Sequence, residues 1–130
     1  MKLKQLFSSL VLGTLLIAAQ SSAQASTAVT LEAAREAIDK SSTVVIDIRE
    51  PGEQTDGVAK GALLIPMGQL EKRLGDITKS KDQPVILICQ TQNRSAKVAD
   101  QLSAAGYTQI SYVKGGMREW AARGWPTVKP

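Results

Sequence analysis

Four short apolar runs divide the chain: TVVIDI at 43–48, ALLIP at 62–66, PVILIC at 84–89 and YTQISYV at 107–113. The first three are nearly continuous in apolar residues, which predicts strands buried on both faces. In the fourth, Ile110 and Val113 are the inward positions. Between the runs the period changes. LEAAREAIDK sets Leu31, Ala34 and Ile38 on one side, with Thr30 placed to cap it, Glu32 in the first turn and Lys40 at the end. GQLEKRL, about 68–74, predicts one or two helical turns. SAKVADQLSAAG repeats Ala96, Val98 or Ala99, Leu102 and Ala105 at helical spacing, and Gly106 supplies a stop. GGMREWAARG predicts a last short helix, and REPGEQTDG, rich in Pro and Gly, predicts loop. Strands alternating with helices specify one α/β domain, a mainly parallel central sheet with helices on both faces.

The first 25 residues follow a different logic. Met1, Lys2 and Lys4 make a positive start, Leu6 to Ala19 carry no charge, and Ala23-Gln24-Ala25 offers small residues at a cleavage point. That order predicts a signal peptide over 1–25, an exported, periplasmic protein and a folded domain over 26–130. The apolar run is short for a membrane span, which takes about 20 residues, so no membrane association is expected after cleavage. Removing Lys2 and Lys4 lowers the net charge from +4 to +2. No basic stripe with interleaved aromatics is present, so nucleic acid is not an expected partner. No apolar seam for assembly stands out either, and a monomer is expected.

Cysteine and histidine counts narrow the chemistry. Cys89 is the single cysteine and there is no histidine. An internal disulfide, a Cys-His or Ser-His hydrolase and a histidine-ligated metal are thereby excluded, and one thiol cannot hold zinc. No metal site is expected.

Cys89 closes the strongest apolar run, and the helix after it starts near Arg94 or Ser95. In parallel sheets, ligands bind beyond the carboxyl ends of strands, near helix N-termini. Gln90, Thr91, Gln92 and Asn93 therefore form a tight connection whose N–H groups can converge on an anion, with Arg94 and Ser95 behind them. The helix dipole and Arg94 would favour a thiolate there, which is the nucleophilic form. The competing reading is that Cys89 is core filler, since free cysteine is among the most buried residue types.

The stretch CQTQNRSAKVADQLSAAGY resembles the active-site loop and helix of rhodanese-family sulfurtransferases. Two further stretches agree: DIREPGEQTDGVAKGALLIP and VKGGMREWAARGWP, in the family's order and spacing, so that the resemblance covers about residues 27–128. It implies a thiosulfate sulfurtransferase in which Cys89 takes sulfane sulfur as a persulfide and passes it to cyanide, a cellular thiol or a thiol protein. It implies no metal or organic cofactor. Gln90, Thr91, Gln92, Asn93, Arg94 and Ser95 would bind the sulfur substrate, with Arg94 either adding charge at the mouth or bracing the loop. Asp47 and Arg49 would support the loop from a neighbouring strand end, Asp47 by holding Arg94 or a main-chain N–H. Trp120 and Trp125 would pack the last helix and tail.

The chain departs from the family's pattern in places. Gln92 stands where glycine is usual, so either the loop takes another path or Asn93 accepts a positive φ. Val58 and Ala59 replace a usual His-Ile pair, Lys60 replaces a Pro, and Gln54 replaces an aromatic, which is expected to weaken the core there. Two other functions stay open. One is a persulfide carrier or binding module with little turnover. The other is a phosphatase or arsenate reductase of related fold, against which the spacing argues. Those enzymes place five residues between Cys and Arg, and here only QTQN separates Cys89 from Arg94.

Overall fold

A computed structural model describes residues 13–17 and 26–130. The predicted leader and its cleavage point fall mostly outside the described residues.

The elements run β1 (Thr27–Val29), α1 (Leu31–Asp39), β2 (Val44–Asp47), α2 (Pro51–Gln54), β3 (Val58–Ala59), β4 (Leu63–Leu64), α3 (Met67–Ile77), β5 (Val85–Ile88), α4 (Asn93–Ala104), β6 (Ile110–Val113), α5 (Gly116–Ala122) and β7 (Thr127–Val128). Five strands form a sheet in the order β1-β6-β5-β2-β4, and every neighbouring pair is parallel. β3 and β7 pair antiparallel as a separate ribbon. The α/β class with a parallel sheet is as the apolar runs specify.

Alternation along the strands sorts the core into two layers. Val85, Leu87 and Cys89 point to the layer that also holds Leu70 and Leu74 of α3 and Val98, Ala99 and Leu102 of α4. Ile86 and Ile88 point to the other, with Leu31, Ala34 and Ala37 of α1 and Met117 and Trp120 of α5. β5 is central, and all four of its residues are buried. Its continuous apolar run thus serves two cores at once. The helix after Cys89 must cover the same face to which the thiol points.

Local chemistry sets the ends. Thr30 Oγ1 accepts the Ala33 N–H at 3.1 Å and starts α1 as expected. Two expectations are corrected. The segment read as loop after β2 contains α2, where Pro51 occupies a first-turn position that needs no N–H and Glu53 Oε2 accepts the Glu50 N–H at 3.0 Å. α3 runs eleven residues rather than one or two turns, passing through Gly75.

Trp120 and Trp125 meet edge to face, centroids 4.9 Å apart, and Trp120 Nε1–H donates to the Pro126 carbonyl at 3.0 Å. They pack the last helix and the tail as predicted.

Candidate active site at the end of the central strand

Cys89 is the first residue beyond β5, and strand alternation turns its side chain toward α4. The Ser95 N–H donates to Cys89 Sγ at 3.4 Å. The thiol donates to Ser95 Oγ at 3.3 Å, and that hydroxyl donates on to the Gln92 carbonyl at 3.1 Å. Ser95 and Cys89 are both fully buried. The sequence reading left a reactive thiol and a buried one as alternatives; the structure buries it.

The loop's carbonyls face away from the sulfur. Met117 N–H donates to the Cys89 carbonyl at 2.8 Å and Arg118 N–H to that of Gln90 at 2.9 Å. The first turn of α5 therefore takes the Cys89 and Gln90 acceptors, while the Gln92 carbonyl accepts from Ser95 Oγ and the Ala96 N–H. Among the described residues, no acceptor is found for the main-chain N–H groups of Gln90, Thr91, Gln92, Asn93 or Arg94. Unpaired N–H groups in one short turn at a helix start make a site for negative charge.

This packing demands the glycine pair. A Cβ on Gly116, at φ +61°, would lie 2.2 Å from the Thr91 carbonyl oxygen and 2.5 Å from that of Cys89. Gly115 has φ +89°, and its N–H donates to Gln92 Oε1 at 3.1 Å.

Gln92 itself has φ −162°, an extended angle open to any residue. Asn93 does not take a positive φ either. Of the two alternatives, the loop follows another path.

Two arginines brace the loop from the β2 side. Arg49 is buried, and its Nε–H and one Nη2–H bind the Asp47 carboxylate at 3.0 and 2.8 Å. Its remaining N–H groups reach the Gly57 carbonyl at 2.9 Å, the Glu53 carbonyl at 3.3 Å and Gln90 Oε1 at 3.2 Å. Arg94 forms a fork with Glu53, at 2.8 and 2.6 Å. That guanidinium holds the Glu53 carboxyl down at about 2, with help from the Glu50 N–H.

Asp47 thus holds Arg49 and the Arg49 N–H, at 3.0 Å, and not Arg94. The reason is reach along the chain: two residues on, Arg49 folds back onto its own strand end. Arg94 is a brace, its charge matched by Glu53, so the loop's attraction for anions rests on main-chain N–H groups. Gln54, expected to weaken the core contact there, sits among main-chain acceptors. It is buried, and Nε2–H donates to the Arg49 carbonyl at 3.2 Å.

Sequence reasoning missed Glu53 and the 115–118 corner. A signal existed for the corner: two glycines directly before a helix mark a close backbone approach. For Glu53 the cue was an acid in the first turn after Pro51.

A strand-end cysteine followed by a short loop of unpaired N–H groups at a helix start, on a five-stranded parallel sheet, defines a class of single-cysteine α/β domains. Residues 30–123 match the family described as Rhodanese-like domain, and the chain belongs to that family. It is 33% identical over 92 residues to a sulfurtransferase of Allochromatium vinosum, covering 71% of this chain and 84% of that one. It is 40% identical over 79 residues to the uncharacterized protein YqhL of Bacillus subtilis, covering 61% of each chain. The crystal structure of a rhodanese-related protein from Thermoplasma volcanium superposes with TM-score 0.65 at 30% identity, covering 78% of this chain and 97% of that one.

Proposed function

We propose that this protein is a thiosulfate sulfurtransferase working through a Cys89 persulfide. The observation that carries the reading is the Ser95 N–H on Cys89 Sγ, in a loop whose N–H groups at 90–94 have no acceptor among the described residues and whose Cys89 and Gln90 carbonyls are tied to α5. Cys89 thiolate attacks the outer sulfur of thiosulfate. A new S–S bond forms, the donor's S–S bond breaks, and its electron pair leaves with sulfite. The loop N–H groups offset the charge of the persulfide, as an oxyanion hole offsets developing charge. Cyanide or a thiol then attacks the outer sulfur and returns the Cys89 thiolate, completing a ping-pong cycle. The family and the sulfurtransferase name of the Allochromatium relative support transfer of sulfur. The leader pattern supports export to the periplasm, and the acceptor met there is a small thiophile or a thiol protein.

Intact-mass spectrometry before and after thiosulfate tests the step. The expected result is a gain of one sulfur atom, reversed by cyanide and absent in Cys89→Ser, whose melting temperature stays near that of the parent. A Cys89→Ser variant with parental thiosulfate:cyanide turnover would overturn the assignment.

The closed position of Cys89 favours a second reading, a persulfide carrier that turns over only when docked. Stoichiometric loading without multiple turnover would select it.

A further inference from the structure

Ser95 meets Cys89 Sγ twice. Its N–H donates to the sulfur at 3.4 Å, and its hydroxyl oxygen accepts the thiol hydrogen at 3.3 Å. Both contacts lie in the interior, since neither residue has exposed surface. The hydroxyl hydrogen goes elsewhere, to the Gln92 carbonyl at 3.1 Å. That carbonyl has a second donor, the Ala96 N–H at 2.8 Å. Releasing the hydroxyl therefore leaves no buried acceptor unpaired, which is the costly outcome when a hydrogen bond breaks.

The charged groups on the surrounding elements are paired or exposed. Arg94 is held by Glu53 and Arg49 by Asp47. Glu50 before α2, Lys97 and Asp100 of α4, and every charged residue of α3 and α5 are exposed. The chain has no histidine. A thiolate buried here needs hydrogen-bond donors, and the Ser95 hydroxyl is one that can turn toward it.

We propose that Ser95 is a catalytic residue whose hydroxyl changes partner with the charge on Cys89: it donates to the Gln92 carbonyl while the sulfur carries its proton, and to Sγ once that proton has passed to water. One hydrogen bond breaks and one forms, and the S–H bond is the only covalent bond that changes. In sulfur transfer the new bond serves twice. It holds the thiolate before attack on the donor, and again when the acceptor displaces it from the persulfide. That use rests on the sulfurtransferase reading; the change of partner does not.

Ultraviolet absorbance of the thiolate titrates the single cysteine directly, with Cys89→Ser as the blank. Ser95→Ala is expected to raise the pH of half-ionisation by about one unit, the difference that one hydrogen bond to a charged atom makes. Below the parental midpoint its loading by thiosulfate should be roughly tenfold slower, in proportion to the thiolate present. Ser95→Thr keeps the hydroxyl and is expected to titrate with the parent. If Ser95→Ala melts well below the parent, Ser95→Thr and Ser95→Val, alike in shape and different in the hydroxyl, carry the comparison. An unmoved midpoint in Ser95→Ala at parental melting temperature, or an equal rise in Ser95→Thr, would overturn the role of the hydroxyl. If the midpoint rises only in the variants without a hydroxyl while thiosulfate loads none of the proteins, that role stands and the sulfurtransferase reading falls.

Discussion

Arg49 spends its guanidinium on acceptors that no other residue type could satisfy together. Its side chain binds the Asp47 carboxylate and the Gly57 carbonyl in the interior, and the Glu53 carbonyl and Gln90 carboxamide in a part-buried setting. Lysine offers three donors on one nitrogen and no planar fork. Arg49→Lys is therefore expected to cost about 3 kcal/mol, as breaking a buried pair does, and chemical denaturation checks it. Thiosulfate loading should fall as well, because Gln90 loses its anchor. At this scale the sequence revealed the residues whose partners are local. Cys89 to Ser95 are contiguous, and a loop between a buried strand and a helix has few paths. The main-chain N–H partner of Asp47 was among the expectations, whereas the partner of Arg94 was not legible, because it depends on how α2 folds over the loop. The burial of Cys89 was legible only as one of two alternatives, because residue types do not record which side chain closes a turn.

The short helix α5 acts on the Cys loop through its first turn, and Gly116 is where the two backbones touch. Gly116→Ala would place a methyl against the Thr91 and Cys89 carbonyls and hold alanine at φ +61°. The expected cost is about 3 kcal/mol, combining overpacking with a left-handed angle. Thermal melting reads that loss, and sulfur loading should drop with it because the loop must move. The long elements were plain from periodicity: α1, α4, β2 and β5 each fall inside the predicted segment or within two residues of it. Others were hidden. β1, β3 and β7 have two or three residues each, too few for a period, and exist because a partner strand lies alongside. α2 was masked by Pro51 and Gly52, and the length of α3 by Gly75, where packing of Leu70 and Leu74 outweighs a glycine cost of about 1 kcal/mol.

For the molecule as a whole, the Glu53–Arg94 fork links α2 to the first turn of α4 and makes stability depend on acid. Glu53 has its folded-state pKa lowered from 4.5 to about 2. A depressed carboxyl stabilises the fold above its ordinary value and loses that contribution as pH falls toward the folded one. Glu53→Gln should thus melt lower than the parent at pH 6, by about 1 kcal/mol once solvent screening of this one-third-exposed pair is allowed for. The gap should shrink from pH 4.5 downward and vanish near pH 2, as melting at stepped pH will show.

The carbonyls of Cys89 and Gln90 wait for amides that lie almost thirty positions later in the chain. During synthesis, a polypeptide that has not passed Arg118 has its cysteine and the braces from Arg49 and Glu53, but not the amides that hold those two carbonyls. The finished surroundings of the thiol are consequently acquired late, when translation is nearly done, and a prematurely stopped product would carry its cysteine in an incompletely held turn.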